Sequence, residues 1–491
     1  MNILVFANMQ NIPKNIKDLA NETINNVEAY KSWLKINHNK LENIATDEDF
    51  YDLPITNKKN YISRFKFSEL MPKGHVPQFT YASSGSSGKP TFWFRDDFQD
   101  EVGADIQEII FKNIFGLKKE QKVLVVITFS MGIWIAGNYT AAAIRGVARR
   151  GYNITIATPG LEHNDILSVF RDMAPHYDTV VLCGYPPFLM DILLDLKKNG
   201  VDLKNKDMFA LTAGDKFTEE WRNLFLKLIN KENNPAAIVG IYGSADAVAM
   251  GFETPLSIFL RRASLKNKKL YLELFGDEKI LPNISQYNER SIFFEQKDGE
   301  LLITTPTSIP LIRYNIHDRG LMMNNIEMKD LVNRFDFPNK SNIFKLFGWN
   351  LPFVIVKGRT DVAATFYALN IYPENIRATA EDKRVKPFLS GNFMVYNKQS
   401  ADAKSQRLFV EFELKDGVSL NKALTNKVFD IVVKNLVALN IEFSKLYNSI
   451  GKKALPTVVL VGFQKKDFSK SVIPSLVNIR GKKPRMLLGT K

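Results

Sequence analysis

Apolar residues recur at helical spacing from Asn15 to Leu53, and Leu53-Pro54-Ile55-Thr56 then breaks the pattern. Gln121 to Thr128 (QKVLVVIT) is a continuous β-branched run, the form taken by parallel strands buried on both faces. A helix is predicted over Ala141 to Arg150 and a strand over Tyr152 to Thr158. The alternation continues with a helix near Asn164 to Asp172, a strand at Thr179 to Cys183, a helix at Pro187 to Asn199 and a strand around Met208 to Leu211. Strands alternating with helices predict a parallel sheet covered on both faces. After Leu270 the character changes. Tyr271 to Leu274, Ile292 to Glu295 and Leu301 to Thr305 read as short strands with turns at Gly276-Asp277 and Asp298-Gly299, which predicts antiparallel β. Asn324 to Pro352 fits neither period. Beyond Gly358, strands near Leu408 to Glu413 and Thr457 to Gly462 flank a helix from Leu420 to Asn440, the pattern of a compact α+β unit. The fold class expected is therefore α/β: a large N-terminal unit over residues 1–357 and a small α+β unit over 358–491.

A chain of 491 residues is long enough for two such units. With 45% hydrophobic and 24% charged residues it has the profile of a globular protein, not a disordered one. The sole cysteine, Cys183, excludes a disulfide framework and a cysteine-based zinc cluster, and suits a reducing cytoplasm. Met1 to Gln10 lacks the basic flank and long apolar core of a secretory signal. The longest apolar stretch, Val123 to Gly137, is interrupted by Thr128, Ser130 and Gly132 and falls short of a membrane span, so a soluble protein is expected. The net charge is +14, and Asp361 to Lys491 holds 22 lysines and arginines against 11 aspartates and glutamates. Without a recognisable nucleic-acid module, this excess reads as a solvated lysine-rich surface or one that attracts polyphosphate or CoA-like anions. No nucleic-acid partner is expected; a homodimer is left open.

The segment richest in chemistry is Tyr81-Ala82-Ser83-Ser84-Gly85-Ser86-Ser87-Gly88-Lys89-Pro90-Thr91. Glycines let the backbone approach a ligand, successive N–H groups and hydroxyls form an anion-binding concavity, and Lys89 adds a mobile cation. A Walker loop is excluded, because Ser83 stands six residues before Lys89 and Pro90 follows it.

SSGSSGKPT resembles the phosphate-gripping loop of adenylate-forming (AMP-dependent synthetase/ligase) enzymes, in the version of the phenylacetate–CoA ligase branch. Further segments match that family in its own order. Leu211-Thr212-Ala213-Gly214-Asp215 resembles its Gly-Gly-Glu segment near the adenine, and Ile241-Tyr242-Gly243-Ser244-Ala245-Asp246 its Tyr-Gly-x-Ser/Thr-Glu segment. Pro310-Leu311-Ile312-Arg313-Tyr314-Asn315-Ile316-His317-Asp318 resembles Pro-Leu-Ile-Arg-Tyr-Arg-Thr-Gly-Asp. Gly358-Arg359-Thr360-Asp361 resembles the hinge into a mobile C-terminal domain, and Asn370-Ile371-Tyr372-Pro373 the Asn-Val-Phe-Pro after it. Gly481-Lys482-Lys483-Pro484-Arg485 resembles the segment that supplies a catalytic lysine.

The resemblance implies activation of a carboxylic acid by ATP and Mg²⁺ as acyl-AMP, with pyrophosphate released, and transfer of the acyl group to CoA. Transfer to an amine, a hydroxyl or a carrier-protein thiol, and a non-catalytic nucleotide-binding relative, are the other readings. It implies that Ser83, Ser84, Gly85, Ser86, Ser87, Gly88, Lys89 and Thr91 grip the phosphates. Ala213, Gly214 and Asp215 would border the nucleotide, with Tyr242, Gly243 and Ser244; Tyr242 would stack on the adenine. Asp246 would carry Mg²⁺, Asp318 would accept from the ribose hydroxyls, and Arg359 would sit near ribose or phosphate. Lys482 would reach the bridging oxygen between acid and α-phosphate. Other readings stay open: Asp318 as a turn cap, Tyr242 as core, Arg359 and Asp361 as a surface ion pair, Lys483 or Arg485 in place of Lys482. The acid pocket is expected from Thr128 to Trp134, Cys183 to Pro186 and Ala213-Gly214, with Phe129, Trp134 and Tyr185 favouring an apolar or aromatic acid.

The chain also departs from the family pattern. Asp215 and Asp246 replace glutamates, His317 stands where glycine is common, Val362 replaces the second aspartate of the hinge, and Ala368 replaces a glycine of the pantetheine channel. Replacing Lys482 with Ala should abolish adenylate formation while leaving ATP binding largely intact; full activity in the variant would move the role to Lys483 or remove it.

Overall fold

The computed structural model describes residues 11–83, 91–201, 206–276, 283–359, 364–367, 369–399, 405–466 and 478–479. Its centre is a 12-stranded sheet. One half is parallel, in the spatial order Ile154–Ala157, Val123–Ile127, Thr179–Gly184, Asp207–Ala213 and Ile238–Ser244. The β-branched runs responsible, VLVVI and TVVLCG, are buried at every position, as strands covered on both faces require. The covering helices include Ile135–Arg149, Pro186–Lys198 and Glu219–Leu228, which follow three of these strands. The other half is antiparallel and runs through Val248–Phe252, Asn283–Gln286, Phe353–Arg359, Leu311–Met323, Glu300–Thr305 and Phe293–Lys297. The expected α/β class, with its parallel and antiparallel parts, is what the structure has.

Local expectations were corrected in three places. Tyr271 to Leu274 lies in a helix, Lys268–Phe275, whose first turn is capped by the Asn267 side chain. Leu270, Leu274 and Phe275 are buried on one side of it, so the short apolar run followed the helical period. Asn324 to Pro352 contains two helices, Asn325–Asn333 and Lys340–Leu346; the first is announced by a capping box of Asn324 and Glu327. The helix expected from Ala141 begins at Ile135.

Towards the C-terminus, strands Leu389–Gln399, Gln406–Leu414, Thr457–Val461 and Asn478–Ile479 form a separate four-stranded sheet. Helices Pro373–Ala380, Lys422–Leu439 and Ile441–Ile450 accompany it. A hairpin of Ala364–Phe366 and Leu369–Ile371 precedes it. Residues 358 and 359 belong to the large sheet, with Arg359 opposite Asp318 and Gly358 opposite Arg319.

Below the carboxyl ends of the parallel strands lies a buried ion cluster. Glu253, 1% exposed, accepts from both Arg222 Nη2 (2.7 Å) and Arg261 Nη1 (3.1 Å), and from the amide of Gly240 at 2.9 Å. Burial pushes the Glu253 carboxyl up, but the two guanidinium groups outweigh it and hold it below its ordinary value. Glu253→Gln keeps the shape and leaves two buried cations short of a partner. It should cost about 3–5 kcal/mol, visible as a lowered urea midpoint; an unchanged midpoint would contradict the cluster's structural role.

Candidate functional site

Four of the expected site segments, Thr128 to Trp134, Cys183 to Pro186, Leu211 to Asp215 and Ile241 to Asp246, lie across or directly after carboxyl ends of parallel strands. That edge is where open α/β sheets place their ligands.

Asp318 and Tyr242 meet here. The Tyr242 hydroxyl donates to Asp318 Oδ2 at 2.6 Å, joining residues 76 apart in sequence. Asp318 is 5% exposed, and Tyr242 lies in the core with its ring stacked on Phe294. Asp246 Oδ2 accepts from the Tyr314 hydroxyl at 2.7 Å. Its backbone carbonyl and that of Ala245 accept from Arg95, whose guanidinium is wholly buried. Ser244 Oγ accepts from the Ala247 amide at 3.2 Å. The turn after Tyr242 is tight: a Cβ on Gly243 would stand 2.4 Å from the Val248 carbonyl oxygen. Val248 itself has φ +58°, a strained value for a β-branched residue.

Ser83 Oγ accepts from Trp93 Nε1 at 3.0 Å and from Lys58 Nζ at 3.2 Å. Strands Phe79–Ser83 and Thr91–Arg95 pair in register, Ser83 opposite Thr91, so both ends of the Ser/Gly loop are fixed together. Ser84, Gly85, Ser86, Ser87, Gly88 and Lys89 lie outside the described residues, as do Asp361, Val362, Ala368 and Lys482; Arg359 is described in its backbone only.

Asp215 Oδ2 accepts from Gln406 Nε2 of the C-terminal sheet at 3.2 Å. Ala213 and the exposed Gly214, at φ +83°, lead into it. Lys216 Nζ donates to the Val356 carbonyl at 3.2 Å. Burial lowers the Lys216 amine to about 8; Asp318 and Asp215 oppose the shift and Arg261 adds to it.

Among the acid-pocket candidates, Phe129 and Tyr185 meet edge to face at 4.9 Å. Trp134 lies elsewhere on the same loop, bridged to Ala82 and covered by the Lys445 ammonium 4.8 Å from its ring centroid. His317 has φ +62°, which explains why glycine suits that position in the resemblance. Its amide is satisfied by Asn315 Oδ1 at 2.7 Å.

The reading from motifs missed Lys58, Arg95, Lys216 and Gln406. Lys216 adjoins a quoted motif and Arg95 follows the Ser/Gly loop, but their charge alone does not mark them; Lys58 and Gln406 carried no signal. Arg313, inside a quoted motif, is structural: it pairs with Glu295 at 3.0 Å and caps the Leu53 carbonyl at 2.7 Å.

Among the described residues, no three His, Cys, Asp or Glu side chains converge to hold a metal, and no helix is long and apolar enough to cross a membrane. Magnesium needs less: one carboxylate with phosphate and water oxygens suffices, and Asp246 offers one.

No family model and no curated protein sequence matches this chain. Solved structures do. A 2-hydroxyisobutyryl-CoA ligase with 2-HIB-AMP and CoA in the thioesterification state matches with TM-score 0.61 and 12% identity, over 97% of this chain and 90% of that one. The same ligase in an open conformation with 2-HIB-AMP and CoA gives TM-score 0.51 at 12% identity, over 95% and 93%. In its postadenylation state with R3-HIB-AMP it gives 0.50 at 12% identity, over 95% and 91%. The chain thus has the fold of an adenylate-forming ligase with its C-terminal domain.

Trace labelling with acetic anhydride, read by mass spectrometry, tests the Lys216 environment. Only the neutral amine attacks, so its reactivity should rise with pH around a midpoint near 8. Asp318→Asn removes a carboxylate that stabilises the ammonium and should move the midpoint lower. A midpoint at the ordinary lysine value of about 10.4 would contradict the desolvation of its half-buried amine.

Proposed function

We propose that this chain activates a carboxylic acid with ATP as an acyl-adenylate, releasing pyrophosphate, and then passes the acyl group to CoA. The observation that carries the reading is the pairing of Asp318 with Tyr242 and of Asp246 with Tyr314 across the sheet, with Asp318 and Asp215 both acting on Lys216, in a fold shared with adenylate-forming ligases. The match of the Ser/Gly loop to the phenylacetate–CoA ligase branch belongs to the same proposal.

In the first step a carboxylate oxygen of the acid bonds to the α-phosphorus and the bond to pyrophosphate breaks. Negative charge grows on the phosphoryl oxygens, so catalysis is mainly positioning and charge stabilisation. Asp318, anchored by Tyr242, offers acceptors to the two ribose hydroxyls. Residues 84–89 grip the phosphates, and Lys482 supplies positive charge at the bridging oxygen. Asp246 would hold Mg²⁺, which with the phosphates neutralises charge on the leaving group. In the second step the thiol sulfur bonds to the acyl carbon, AMP departs and the thiol proton is released.

The unit that follows strand Phe353–Arg359 acts as a lid. Gln406 on Asp215 and Lys445 over Trp134 support this, since both bring C-terminal residues onto the site edge. CoA as acceptor is favoured by the likeness to a ligase captured with its adenylate and CoA. The edge-to-face pair of Phe129 and Tyr185 supports an apolar or aromatic acid.

Acid-dependent ATP–pyrophosphate exchange with Mg²⁺ and a panel of aryl, fatty and amino acids tests the proposal. Exchange with one class, followed by CoA-dependent AMP release, is the expected result. AMP release driven by amines or carrier proteins instead would reassign the acceptor. Silence from folded protein that still binds ATP would mean a non-catalytic relative, and ADP as product would overturn adenylation.

A further inference from the structure

Two segments of this chain share one spacing, Tyr242-Gly243-Ser244-Ala245-Asp246 and Tyr314-Asn315-Ile316-His317-Asp318. Each tyrosine donates to the aspartate of the other segment: Tyr242 to Asp318 at 2.6 Å and Tyr314 to Asp246 at 2.7 Å. The bonds cross. Tyr314 is fully buried and Tyr242 nearly so. The strands that carry them, Ile238–Ser244 and Leu311–Met323, are not sheet neighbours; Val248–Phe252, Asn283–Gln286 and Phe353–Arg359 lie between them. Laid flat, four inter-strand spacings would hold them about 19 Å apart. A tyrosine cannot span that distance, so the sheet curls here and the crossed bonds close the curl.

We propose that the two bonds act as one clasp, so that Asp246 and Asp318 are set together and loosening either displaces the other. Tyr242 and Tyr314 are positioning residues in this arrangement. The inference rests on the reading that Asp318 receives the ribose and deepens it: nucleoside affinity depends on a carboxylate assigned to the metal, even when no metal is present. The physical reason is preorganisation. An O–H···O⁻ bond is short and charge-assisted, and each one here fixes the segment bearing the other acceptor.

The test is calorimetric titration of the full chain with adenosine in metal-free buffer containing EDTA. Adenosine has no phosphate, so Asp246 has no direct part in its binding on the proposed reading. Tyr314→Phe should nevertheless weaken adenosine about threefold to tenfold, although the bond it loses is made to Asp246. Asp246→Asn, which keeps an acceptor but removes its charge, should weaken it in the same direction. Because both changes act on one bond, the double variant should bind no more weakly than the worse single variant. Thermal midpoints measured in parallel identify any variant that fails to fold, and either single variant suffices. Wild-type affinity in both folded variants, or losses that simply multiply in the double variant, overturns the clasp while the nucleotide reading stands. A wild-type chain that binds neither adenosine nor ATP removes the nucleotide reading and the clasp with it.

Discussion

The site depends on one buried carboxylate. Glu253 closes the hairpin at which the sheet changes from parallel to antiparallel, and a bare charge there could not be tolerated. Arg222 and Arg261 neutralise it, and each cation then has donors to spare. Arg222 donates one to the Ile238 carbonyl, at the foot of the strand that ends in Ser244. Arg261 donates to the Phe217 carbonyl, in the loop that carries Asp215 and Lys216. Glu219, also buried, pairs with both arginines, and the Gly240 amide donates to Glu253. One of the site's loops, and the foot of the strand that leads to another, are thus held to the same ionic centre. Such a cluster adds little net stability compared with a well-packed apolar core, but it is unforgiving of any missing member.

The antiparallel half performs a different task. By curling, it carries Asp318 back to the end of the parallel half, so the site draws on both kinds of sheet. The backbone bears local strain for this: Val248 and His317 hold left-handed φ values, and Gly243 leaves no room for a side chain. All three lie within or beside the two crossed segments. Strain collected in this way is stable only when packing over-determines the conformation, and Tyr314, Trp93, Tyr242 and Phe294 supply that packing.

How much of this was legible in the sequence follows from the range of the forces involved. The parallel strands could be read because their pattern is local and continuous: VLVVI has one reading at that length. YLEL did not, since four residues suit either period and the decision came from Leu270 and Phe275 outside it. The segments around Tyr242 and Asp318 were visible through resemblance, but their hydrogen bonds to each other were not, because spacing within a segment says nothing about which partner lies across a curled sheet. Lys216, Lys58 and Gln406 were hidden for the same reason. Their part in the site comes from tertiary neighbours: Val356, Ser83 and Asp215.

The aspartates that stand where the resemblance has glutamates also take on a physical sense. A carboxylate one methylene shorter reaches less far, but it has one fewer rotatable bond and loses less entropy when fixed. Asp246 is fixed twice, through its side chain by Tyr314 and through its carbonyl by Arg95. At its present length the Asp246 carboxylate meets the Tyr314 hydroxyl at 2.7 Å, beside a turn that Gly243 keeps tight. The tyrosine and the shorter acid therefore fit as a pair. Asp215 is likewise held in a set geometry, by Gln406 from the C-terminal sheet.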